Sequence, residues 1–206
     1  MRIKEIKIQK GHLYSITMED GSTRQIDRDI AERYCLKAGK ELTEESADEI
    51  YAASQLHRAK SRCLWYLERR DYSAKELADK LYGKFESEYI KIAVERMTEL
   101  GLINDEAYAT RKAERMIKEQ GMSMRLAKQK LMQKGLGREQ IEQALEGVEY
   151  DGIAAAKALI DRKYASKISN DNDLRHTYQA LLRRGFSHSD IKGALKEIKE
   201  DLEFEE

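Results

Sequence analysis

Proline is absent from all 206 residues. Proline breaks helix interiors, so its absence favours helix. Cysteine is scarce: only Cys35 and Cys63 are present. That argues against a secreted disulfide framework and leaves two buried or idle cytosolic thiols as the expectation. No apolar run approaches the roughly 20 residues that a membrane helix needs, and no apolar signal segment follows Met1. A soluble, cytoplasmic protein with no membrane partner is expected. Net charge is also missing, because 38 basic residues balance 38 acidic ones. Whole-protein charge therefore says nothing about partners, although its local distribution can. What is abundant is charge of both signs, 37% against an ordinary share of about 25%. Combined with 41% hydrophobic residues at helical spacing, this describes thin, solvated helical layers rather than a disordered polymer.

The stretch Ser123 to Val148 reads as two short helices joined at Gly135, and it is the middle of three copies. Ser73, Ser123 and Asp173 lie 50 residues apart, as do Leu81, Leu131 and Leu181. Beyond the turn, Phe85, Leu136 and Phe186 correspond, as do Ile90, Ile141 and Ile191. Ala93, Ala144 and Ala194 follow, then Val94, Leu145 and Leu195, then Met97, Val148 and Ile198. The first copy is one residue shorter at its turn. A fixed period of this length marks a repeat architecture. Ile141, Ala144, Leu145 and Val148 fall on one helix face. Ala59, Cys63, Tyr66 and Leu67 recur 50 residues later as Ala109, Ala113, Met116 and Ile117, which adds a helix ahead of each pair. The unit is thus three helices, predicted in the first copy at 57–69, 74–84 and 87–100. Units this small bury little surface alone. Stacking is expected to join their apolar faces into one continuous core.

Taken in order, the chain opens with period-two signals. Ile6 and Ile8 alternate with Lys7, Lys10-Gly11 turns, and Leu13 to Met18 is a second strand. Asp20-Gly21 is a strong hairpin signal, and Ser22 to Ile26 is the return strand. Asp27 or Asp29 is expected to cap a helix running to about Ala38, with Gly39 as its stop. Thr43, followed by Glu44 and Glu45, opens the next helix. Ser73 with Glu76 has the spacing of a capping box. Tyr72 just before it is read as a hydrophobic staple. Gly101 ends a helix, Leu102 and Ile103 supply the apolar contact behind it, and Asn104 starts the next. A longer loop is expected at Ala165 to Asn172, a last helix at about Ser189 to Lys199, and a frayed acidic end at Asp201 to Glu206. The predicted organisation is a β-hairpin-plus-helix module at 1–54 and three-helix repeats at 55–103, 104–149 and 150–206. The fold class is mainly α, with tandem three-helix repeats in three copies.

Catalytic chemistry finds no foothold. His12, His57, His176 and His188 are scattered, with no metal-ligand spacing to either cysteine. No phosphate-binding glycine loop is present. Ser73 and Ser123 sit where helix caps are needed. No catalytic residue, cofactor or metal is therefore assigned. Charge distribution says more. Between Tyr108 and Arg138 there are nine cations and two acids, a local excess of about +7. On a solvated helix such residues are ordinary. Read functionally, Arg111, Arg115, Lys118, Lys128 and Lys134 form a cationic ridge facing phosphates or an acidic protein surface. Trp65 lies off the main apolar stripe. Packing against the leading module is its ordinary role, and stacking on a nucleic-acid base its sharper one.

Two stretches resemble a known family. YLERRDYSAKEL, Tyr66 to Leu77, is similar to the "YLxxRxxSxxEL" opening of the RecX family, and LGLINDEAYA, Leu100 to Ala109, resembles its "LGLIDDExYA" signature. The likeness spans about residues 56–199. Asn104 replaces the commoner Asp, and Gly83-Lys84-Phe85 stands where Lys-Gly-Phe is usual. The resemblance implies an elongated, curved array of repeats. It also implies a non-enzymatic modulator of RecA, mostly inhibitory, that lies in the groove of the filament RecA forms on single-stranded DNA and can itself bind DNA. A monomer is expected, with the RecA filament and single- or double-stranded DNA as partners. The alternative is a direct DNA-binding protein, with helix-turn-helix-like repeats, that acts independently of RecA.

Overall fold

In a computed structural model, the structure describes residues 1–164 and 171–204. The chain divides into two compact units, Met1–Ile103 and Asn104–Glu206.

The first unit opens with three antiparallel strands, β1 (Ile3–Gln9), β2 (Leu13–Met18) and β3 (Thr23–Asp27), in the order β1-β2-β3. The two hairpin turns use positive φ at Gly11 and Gly21. Ile3, Ile16, Met18 and Ile26 face inward, whereas Ile8 is left exposed. Asp27 ends β3 and caps α1 (Arg28–Arg33), its carboxylate accepting from the Asp29 amide. This helix stops well short of Ala38. Cys35 turns the chain through a positive φ of 49°, and no side chain marks that break in advance.

Thr43 caps α2, which runs unbroken from Glu44 to Leu67. The division expected at residue 54 therefore falls inside one helix. Ile50 of α2 is buried with the sheet residues, while Ala59 and Cys63 are buried with the first repeat. The Ser54 hydroxyl accepts from the Asp27 amide at 2.7 Å and is fully buried, tying β3 to the middle of α2. The remaining helices of this repeat are α3 (Ala74–Leu81) and α4 (Ser87–Glu99). Ser73 and Glu76 form the predicted capping box. Tyr72 is buried beside Leu77, as a staple requires. At the end of α4, Gly101 has φ +70° and the Leu102 amide donates back to the Met97 carbonyl. Ile103 is buried behind it, but Leu102 is not.

In the second unit, Asn104 caps α5 (Asp105–Glu114), which widens into a π-helical turn at Arg115–Glu119. Then come α6 (Met124–Gln133), α7 (Arg138–Glu146), α8 (Gly152–Lys163), α9 (Asp171–Arg183) and α10 (His188–Phe204). The expected loop at 165–172 is helical from Asp171, and residues 165–170 lie outside the described residues. Asp173 sits inside α9 rather than capping it. The helix expected to end at Lys199 continues to Phe204, so most of the expected frayed end is helical, and residues 205–206 lie outside the described ones.

The repeat is visible in burial. Leu81, Leu131 and Leu181 are fully buried, and so are Ala59, Ala109, Ala93 and Ala194. The turns after them differ as the one-residue deletion requires. The Leu81, Leu131 and Leu181 carbonyls each accept from the amide three residues on, Lys84, Lys134 and Arg184, but Leu131 and Leu181 also accept from Leu136 and Phe186. Among the described residues the apolar side chains form four clusters, one in the leading module and one in each repeat, rather than the one continuous core expected. Three helices closing on one leucine already exclude water from it. Between the second and third repeats, Arg162 and Arg184 donate to the carbonyls of Glu119 and Gln120, and the Ser123 amide donates to the Arg184 carbonyl.

Gly185 makes that last approach feasible. It has φ +83°, and a Cβ there would meet Ser123 Oγ at 2.5 Å and Leu126 Cβ at 2.9 Å. Gly83 has a similar φ of +76° but open space around it. Gly83→Ala should cost about 1 kcal/mol for the left-handed backbone alone, and Gly185→Ala about 3 kcal/mol with the overpacking added, read by urea unfolding. Equal costs at the two sites would mean that the repeat contact is not tight. The cysteines provide a second check. Burial pushes the Cys63 thiol up to about 11, whereas Cys35 is exposed. Iodoacetamide at mildly alkaline pH should label Cys35 in the native protein and Cys63 only after denaturation.

Candidate anion-binding surface

The second repeat places its cations through α5, its π-helical turn, α6 and α7. Tyr108 lies at the base. It is 1% exposed, because its ring belongs to the repeat's apolar core. The Lys112 ammonium sits 5.3 Å from the ring centroid, and the Lys134 ammonium, from the end of α6, sits 5.9 Å from it. Two helices far apart in sequence thus bring two cations to one aromatic ring.

A second pair forms around Glu142 on α7. Arg138 donates to its carboxylate at 2.9 Å and Lys128 at 3.3 Å. Hydrogen bonds from Arg138 and then Lys128 hold this carboxyl below its ordinary value. One carboxylate cannot balance two cations, so the pair keeps a positive excess.

The other predicted contacts are arranged differently. Arg115 pairs with Glu119 at 3.2 Å and Lys118 with Glu114 at 3.6 Å, both along their own helix. Arg111 is exposed on the outer side of α5. Of the five residues picked from sequence, Arg115, Lys118 and Lys128 therefore have carboxylate partners in the same repeat. Such exposed pairs contribute little to stability and are screened by salt, so an incoming anion can replace the carboxylate. Lys118 also lines a cleft of about 380 Å³ with Arg162, Glu149, Tyr150 and Asp151.

Lys112, Arg138 and the organising ring of Tyr108 were not singled out from sequence. Tyr108 with Lys112 at i+4 was the available signal. Trp65 corrects another expectation. Its indole is 42% exposed, and the leading module's core does not include it. Its ring neighbours are Tyr66, edge-on at 5.0 Å, and the guanidinium groups of Arg62 and Arg69.

The histidines are not all scattered. His57 Nε2 lies 3.7 Å from Asp27 and 3.6 Å from Asp29, bringing α2 against the start of α1. When protonated it bridges two carboxylates. These three side chains also have the ligand types and proximity of a metal group, assembled from positions 30 residues apart that no local motif joins.

Among the described residues, no helix is long and apolar enough to cross a membrane. Tandem three-helix units, the second with a local excess of cations, define a helical-repeat protein. Comparison with known proteins gives the family. Residues 59–97 match the family model described as "RecX, first three-helix domain", residues 104–145 the second such domain, and residues 149–195 the third. The chain belongs to the RecX family. It is 29% identical over 208 residues to the regulatory protein RecX of Streptococcus sanguinis (strain SK36), covering 98% of this chain and 80% of the relative. It is 25% identical over 211 residues to that of Listeria monocytogenes serotype 4a (strain HCC23), covering 98% and 78%. A crystal structure of regulatory protein RecX matches with a TM-score of 0.62 and 25% identity, over 95% of this chain and 98% of that one. RecX from Lactobacillus salivarius matches with a TM-score of 0.55 and 27% identity, over 71% and 98%. The relatives' shared name gives the chain a regulatory role of the RecX type.

Glu142→Gln should free Lys128 and Arg138 together. Affinity for heparin is then expected to rise about threefold, with a steeper salt dependence. An unchanged affinity would show that this carboxylate does not limit access to the two cations.

Proposed function

We propose that this protein is a non-enzymatic, cytoplasmic regulator that binds the RecA–single-stranded DNA filament and mostly inhibits recombinase activity in DNA repair and recombination. The observation that carries the reading is the presence of all three RecX domains, in order, along one chain. Arg111, Arg115, Lys118, Lys128 and Lys134 make the anionic contacts. Their net excess of positive charge supports this, since a filament of protein on DNA offers phosphates and acidic side chains. A monomer acts, and linked weak contacts from successive repeats add through effective concentration.

The test is RecA-dependent ATP hydrolysis on single-stranded DNA, with and without this protein. Inhibition is expected at saturating amounts, and Arg111→Glu with Arg115→Glu should weaken it about tenfold. Hydrolysis that does not respond to the wild-type protein would discard the reading. Naked duplex DNA as competitor separates the alternative of direct DNA binding. Full competition, with a log–log salt slope near −5 for about six phosphates, would favour that alternative.

A further inference from the structure

The first repeat carries a basic surface of another kind. Arg58, Arg62, Trp65 and Arg69 are spaced by four, three and four residues. At about 100° per residue these positions share one face of α2 and its C-terminal end. The geometry bears this out at the aromatic groups. Arg62 lies 5.3 Å and Arg69 3.4 Å from the centroid of the Trp65 ring, and Arg58 lies 5.6 Å from that of Phe85. Arg69 also donates to the Trp65 carbonyl, which fixes it against the indole.

None of Arg58, Arg62 or Arg69 pairs with a carboxylate among the described residues. This separates them from the second repeat, where Arg115, Lys118, Lys128 and Arg138 all do. Stacking on a ring orients a guanidinium and leaves its positive charge uncompensated. The indole and the neighbouring Leu64 are each 42% exposed, so both are open to a ligand.

We infer that this stripe is a binding site for single-stranded nucleic acid, with Trp65 stacking on a base and Arg58, Arg62 and Arg69 holding the flanking phosphates. A single strand presents both groups at once, a flat apolar base and a phosphate on either side. A duplex hides its base faces, and an acidic protein surface has no base to stack. Arg62 is the looser of the two guanidiniums on the indole. Swinging it onto a phosphate exposes the ring to a base and breaks no ion pair. The other indole contacts, Arg69 at 3.4 Å from the ring centroid and Tyr66 edge-on at 5.0 Å, are undisturbed. The site stands on the first unit alone and goes beyond filament docking, so either reading can fail without the other.

Trp65 is the only tryptophan in the chain, so its fluorescence reports this site directly. The full-length protein is titrated with oligothymidylate, oligouridylate, inorganic polyphosphate and polyglutamate, with no recombinase present. Saturable quenching by either oligonucleotide, and none by polyphosphate, is expected. The two oligonucleotides separate DNA from RNA, and either one supports the site. Trp65→Ala should weaken oligonucleotide binding about tenfold, measured by anisotropy of a labelled strand, with Trp65→Phe between it and wild type. Arg62→Ala and Arg69→Ala should each lower the magnitude of the salt slope by about one. Unfolding midpoints of the variants confirm that they are folded. Binding without quenching, full affinity in Trp65→Ala, or quenching by polyglutamate but not by oligonucleotide overturns the assignment. RecA-dependent hydrolysis measured on the same variants reports filament docking separately.

Discussion

Burial of one leucine at the end of the second helix of each repeat decides the rest of this structure. Leu81, Leu131 and Leu181 are each 0% exposed. Truncating a side chain so placed costs about 2–5 kcal/mol, several times what a surface ion pair contributes. Each leucine must be covered by a third helix, and the glycine turn behind it sends the chain back to supply that helix. Gly135 and Gly185 allow the closure in the later copies through φ of +80° and +83°. In the first copy the turn is one residue shorter and Gly83 closes it differently. Once the leucine is enclosed, the solvent-facing sides of the helices have no part in covering it. That freedom is why the copies can share a core pattern and differ so much in surface charge.

The period was legible because burial repeats at fixed spacing, and the residues aligned by it are buried together in each copy. The limits of the elements were less legible, for separate physical reasons. The first repeat and the leading module share α2, and between Gly39 and Gly83 the chain contains no glycine or proline that would have broken it. A division placed by pattern change alone had no physical break beneath it. α1 ends early because Cys35 adopts a positive φ, which residue type does not announce. The helix at the C-terminus runs on because its charged residues are good helix formers, whatever their effect on solubility. Whether apolar faces fuse between copies is also invisible in periodicity. Here each copy encloses its own core.

The same distinction runs through the surface. The count of cations between Tyr108 and Arg138 was legible, but not their pairing. Glu142 is 14 residues from Lys128 and outside the counted window, yet it engages both Lys128 and Arg138. Likewise, Tyr108 meets Lys134 only because the second helix of its own repeat packs against α5. Spacing could identify neighbours on one helix, such as Arg115 with Glu119 and Lys118 with Glu114. It could not identify the partners that tertiary structure adds.

Cations held by carboxylates and cations held by rings differ in what binding requires. A lysine paired with Glu142 must exchange one anion for another, so its net gain from a phosphate is the difference between two similar interactions. An arginine lying on Trp65 has no anion to give up, and the ring restricts its motion without cancelling its charge. The first kind suits weak, reversible contact repeated over a large partner. The second suits a strand whose bases can share the ring. Both kinds of surface occur on the same three-helix scaffold because the buried leucines, not the charges, determine the fold. A repeat of this construction can therefore change what it touches by altering outer-face residues, while the interior that positions them stays the same.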